Sequence, residues 1–160
     1  MPDGRILLTS MRFVDTTFPL VVAVGSNVYD RSEFDSMTRG FETYFERGER
    51  YAVLTYTPEG PSLPDARYRK LIADWANEPR VRELSRKLCV GSATVVQSQL
   101  VRGALTAILW LWTPPTPHRI VGTPREGVEW CLDRLLPSGI SIQCSREQMQ
   151  TQLQREAFSG

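Results

Sequence analysis

A single α/β domain built on a mixed, mostly parallel sheet is the fold class the sequence predicts, and three observations predict it. Short runs rich in Val, Ile and Leu alternate with segments whose apolar residues recur at helical spacing. Two strand-like runs come first, over 6–14 and 20–24, and Asp15, Thr16, Thr17 and Phe18 ahead of Pro19 join them as an antiparallel hairpin would. From there each strand is followed by a helix, an order that calls for crossover connections covering the sheet. At 160 residues and 41% hydrophobic content the chain supports one sizeable core, and two would be a squeeze.

Each element has its own signal. After Asp30, the residues Phe34, Met37, Thr38, Phe41 and Phe45 share one helical face, and Gly48 stops the helix. Residues 51–55 read as a buried strand, and Pro58, Gly60, Pro61 and Pro64 as a loop. Tyr68, Leu71, Ile72 and Trp75 form a second helical stripe, which Pro79 bends or breaks before a further turn or two carrying Val81, Leu84 and Leu88. The small and β-branched run 89–96 is a central strand. Ser98 caps a third helix to about residue 112, ended by the prolines of 113–117. A short strand over 119–122 leads into Thr123, Pro124 and Glu126, which combine a capping hydroxyl, proline at the first helical position and a carboxylate to reach back. Val128, Cys131, Leu132 and Leu135 face inward from this fourth helix. Pro137, Ser138 and Gly139 end it, and the Gln-rich remainder has few large apolar residues. The expected organisation is a domain over 1–137 with about four helices, then a polar extension over 138–160 whose composition is compatible with partial disorder.

Composition also excludes functions. Nineteen Lys and Arg against 18 Asp and Glu leave a net charge of +1, too balanced for a chain that grips nucleic acid over its surface. Cysteines at 89, 131 and 144 suit neither a disulfide framework nor a zinc site, so the expectation is no metal, no cofactor and a reducing, cytoplasmic setting. The N-terminus lacks an export signal, and the apolar run 103–112 is about half the roughly 20 residues of a membrane span. The basic stretch 67–87 is interleaved with Asp74, Glu78 and Glu83, as a solvated helix face would be. His118, the only histidine, lies in a proline-rich turn with no Ser or Cys in a nucleophile-elbow context, so no catalytic residues are expected.

The strand CVGSATVV, the helix SQLVRGALTAILWLW and the closing segment HRIVGTPREGVEWCL, in this element order, resemble the SpoIIAA-like branch of the STAS fold. These are small bacterial domains often grouped with lipid-binding CRAL-TRIO-like proteins. Ile120, Glu126, Trp130 and Leu132 fit the family's pattern of strand, short turn, acidic residue and Trp-Leu-like end. The resemblance implies a role in binding protein partners, small ligands or lipid-like molecules to relay a signal. In the anti-sigma factor antagonists of this family a serine in an Asp-Ser-Ser-Gly-like loop is phosphorylated. The corresponding loop here is TPEGPSLPD, so Ser62 takes that place without the preceding aspartate or the following glycine.

Two functional readings follow. The helix 98–112 is apolar nearly all round, and its Leu, Ile, Val and Trp residues cannot share one stripe about 100° wide. It is expected to dock a protein partner, a second copy of the chain among the candidates, through Leu105, Leu109, Trp110, Trp112, Pro114 and Pro115. The alternative is a sensor that holds an anionic or lipid-like small molecule at grouped helix N-termini through Ser98, Arg102 and Thr123.

Overall fold

A computed structural model describes residues 11–60, 62–111, 114–140, 142 and 144–159, with the backbone alone described for 107–111. Five strands form one sheet in the order β1 (Arg12–Val14), β2 (Leu20–Val24), β3 (Tyr51–Tyr56), β4 (Cys89–Val95) and β5 (His118–Val121). The β1–β2 pair is antiparallel and every other pair is parallel. The mixed α/β fold is therefore the one expected, with the hairpin at its start; the part of the expected first strand before residue 11 lies outside the described residues.

There are six helices among the described residues rather than about four. They are α1 (Arg31–Arg47), α2 (Ala66–Ala76), α3 (Pro79–Leu88), α4 (Gln99–Leu111), α5 (Pro124–Leu135) and α6 (Arg146–Leu153). Pro79 divides the second stripe, since proline belongs at a helix start and not inside one. Caps define the boundaries. Asp30 accepts the Glu33 N–H at 2.9 Å and Asp65 the Tyr68 N–H at 2.9 Å, while Gly48 closes α1 in the left-handed region at φ 71°.

Strand alternation divides the core in two. One face presents Leu20, Val22, Leu54, Ala93 and Val95 to α5. The other presents Val21, Ala23, Tyr51 and Val53 to Tyr44 and Phe45 of α1 and to Val81 and Leu88 of α3. A register shift between Tyr51 and Ala52 pairs these residues with Cys89 and Gly91, leaving Val90 as the extra residue. Gly91 is required by close packing, because a Cβ there would stand 3.1 Å from the Trp130 ring and 2.9 Å from Arg134 Cγ on α5.

The C-terminal extension is part of the domain. Ser145 opens α6 with a reciprocal capping box to Gln148, and a single π-helical turn, Gln154–Phe158, continues it. Met149, Leu153, Ala157 and Phe158 are buried against the same sheet face as α5. Few apolar residues were needed, because four of them fall on one helical side; composition hid what spacing would have revealed.

Candidate functional site

The carboxyl ends of β4 and β5 meet the starts of α4 and α5 at one corner. Val96 N–H donates to Val121 O at 2.8 Å, and Arg102 Nε, one turn into α4, donates to Val96 O at 3.2 Å. The guanidinium lies over Gly122, where a Cβ would stand 2.9 Å from Arg102 Nη2. Thr123 follows directly, so Arg102 lies beside the residue that precedes the Thr123 cap, and Ser98 lies one turn before Arg102 in the chain. Capping already occupies the local donors and hydroxyls. Thr123 Oγ1 accepts the Glu126 N–H at 3.2 Å, Glu126 Oε2 accepts the Gly122 N–H at 3.3 Å, and Ser98 Oγ accepts the Val101 N–H at 3.4 Å. Among the described residues no carboxylate pairs with Arg102.

Beyond this corner, the described side chains of α4, over 99–106, are all exposed or half-buried. Leu100 is 85% exposed, and no heavy atom lies within 4 Å of the point a Cβ on Gly103 would occupy. Leu105, Pro114 and Pro115 are half-buried. Trp112 lies outside the described residues, as do the side chains of Leu109 and Trp110.

Ser62 is exposed in the loop before α2, and its carbonyl accepts the Tyr29 hydroxyl at 2.7 Å. Asp65, not Ser62, caps that helix. Three of the seven basic residues of the 67–87 stretch are in ion pairs: Lys70 with Asp74 at 2.8 Å, Arg86 with Glu83, and Arg80 in a two-bonded contact with Glu42 at 2.8 and 2.6 Å.

Sequence reasoning missed one pair that carries chemistry. Ser92 and His118 are opposite each other in the β4–β5 register, and Ser92 Oγ lies 2.5 Å from His118 Nδ1. They are 26 positions apart, and strand register alone joins them. Burial depresses the imidazole to about 4, so it is neutral at pH 7. No carboxylate orients the ring among the described residues, and desolvation is the sole cause of the shift. Ser92 and a neutral imidazole thus share a hydrogen bond between neighbouring strands.

Cys89 and Cys131 are buried free thiols; burial raises Cys89 to about 11 and pushes Cys131 above the usual thiol range, which leaves both protonated and inert as nucleophiles. No group of three metal-ligating side chains occurs among the described residues, and no helix among them is long and apolar enough to cross a membrane. No family model, curated protein or solved structure matches this chain.

Proposed function

We propose that this chain is a non-catalytic interaction module of bacterial regulation or assembly, akin to SpoIIAA-like STAS domains, that docks a protein partner through α4 and the prolines after it. One observation carries the reading: an apolar helix holds Leu100 85% exposed, with bare space beside Gly103. Covering one leucine of this kind is worth roughly 2 kcal/mol, so a partner that seats on the helix gains from contacts the monomer leaves unmade. Pro114 and Pro115 extend the surface with stiff backbone that loses little entropy on binding. The three free cysteines suit a reducing cytoplasm.

Leu100→Asp tests this without touching the core. Sedimentation velocity of the purified protein, together with quantitative affinity capture from the native cell, should show self-association or a retained partner for the wild type and its loss in the variant. Identical sedimentation and capture profiles for the two proteins would refute the docking role.

A second reading is favoured by the seating of Arg102 over Gly122, which leaves guanidinium N–H groups at the strand ends for an anionic ligand. Calorimetry with inorganic phosphate and with a phosphorylated lipid headgroup separates the two. Binding lost in Arg102→Gln supports the sensor, and no heat with either probe removes it.

A further inference from the structure

The turn between β1 and β2 and the segment that leads into α6 together line a cleft of about 490 Å³. Phe18 and Pro19 contribute from the turn, and Ile140, Ile142, Cys144 and Met149 from the C-terminal side. A second hollow, of about 210 Å³, is also lined by Ile142, Cys144 and Met149, so the same three side chains border both spaces. Ligand sites are commonly hollows of about 300–1,000 Å³ with a mostly apolar lining and a few polar groups that fix orientation. Six of the ten residues around the larger cleft are apolar, which matches that description.

The polar part of the lining defines which ligand fits. It consists of Thr16, Thr17, Glu49 and Arg50, and three of the four are already engaged. Thr17 Oγ1 donates to Leu20 O at 2.9 Å, Thr16 donates to the Glu156 carboxylate, and Glu49 accepts from Arg47 Nε at 3.2 Å. Arg47 in turn lies 3.6 Å over the Phe18 ring, so its charge is both paired and stacked. Arg50 is different. Its Nη2 donates to Ser138 O at 2.8 Å, which holds the guanidinium against the C-terminal segment, and no carboxylate pairs with it among the described residues. One uncompensated cation beside an apolar cleft calls for a ligand with a single negative head and an apolar body. Bare phosphate would leave the apolar lining wet, and an amine would meet a like charge. A carboxylate matches the guanidinium fork and adds charge-assisted hydrogen bonds.

We propose that this cleft binds a small monocarboxylate with an apolar tail, its carboxylate on Arg50 and its tail along Ile140, Ile142 and Met149. The site is built from the first hairpin and the C-terminal segment. It shares no residue with α4 or with the corner at Arg102, and it stands or falls independently of both readings above.

Cys144 supplies a reporter for occupancy. It is half-buried and lines the cleft, whereas Cys89 and Cys131 are buried with their thiols pushed up by burial. Calorimetry with sodium octanoate, well below the concentration at which it self-associates, measures binding to the full chain. Alkylation by iodoacetamide, read by peptide mass spectrometry, locates it. Octanoate should bind saturably and slow alkylation of Cys144, and acetate at equal ionic strength should do neither. Shortening the tail should weaken binding about fourfold per methylene, a series that needs no variant. Arg50→Gln, at an exposed position, should weaken octanoate about tenfold or more while leaving the weaker binding of neutral 1-octanol unchanged. No heat with octanoate, Cys144 alkylation no slower with octanoate than with acetate, or undiminished octanoate binding in Arg50→Gln would each overturn the proposal.

Discussion

His118 enters an edge strand as its first residue, and the strand carries its ring out of water. The folded protein holds the imidazole near 4 against 6.5 for a free one, so the unfolded chain binds a proton that the native state refuses. The stability this confers is complete above about pH 6.5 and is lost as the pH falls towards 4. We expect a urea midpoint that drops on acidification by the equivalent of on the order of 2 kcal/mol, and a His118→Gln variant in which that part of the slope disappears. Glycine 127 presents a different kind of constraint. A Cβ there would stand 2.5 Å from Leu54 Cδ1 and 3.3 Å from Val121 Cγ2, in the core where α5 crosses the sheet. Gly127→Ala should cost about 1–3 kcal/mol by overpacking, measurable in the same titration. Neither residue could be read in this way from the chain alone. The Ser92–His118 contact depends on register between strands 26 positions apart, and the need for a bare backbone at 127 depends on where Leu54 arrives.

Among the elements, those with local signals were legible. Asp30, Gly48, Pro79 and Thr123 each mark a helix end in the sequence and each does so in the structure, because a cap acts within one turn of the chain. The last helix was not legible, since a polar composition outweighed a short apolar spacing. Met149, Leu153, Ala157 and Phe158 form the seam that lays α6 and its π-helical turn on the sheet, with Phe158 edge-on to Tyr56 at 5.1 Å. Phe158→Ala should cost about 3 kcal/mol, read as a lower melting temperature with the native circular dichroism retained below the transition. A segment that was a mere appendage would lose nothing. The strand-end corner was an expectation from topology, and what the structure adds is the seating of Arg102 over Gly122, the residue before Thr123, which depends on how two separate strand ends meet.

At the scale of the molecule, hydrophobic clusters lie on both faces of the sheet, and the start of α4 carries an exposed leucine, Leu100. The exposed Leu100 on an apolar helix is what directs the expected association to α4. The C-terminal segment also reaches the opposite edge of the sheet. Arg12 Nη1 donates to Glu156 O at 3.2 Å, and Thr16 donates to the Glu156 carboxylate, across sequence separations of 144 and 140 positions. During synthesis, β1 and β2 therefore leave the ribosome long before the residues that shield one of their faces. Until those residues emerge, Val22, Leu54 and Tyr56 lack part of their native cover. Such distant closure slows folding relative to a chain of equal length with local contacts, and the nascent face of β2 and β3 is where a chaperone would find its substrate.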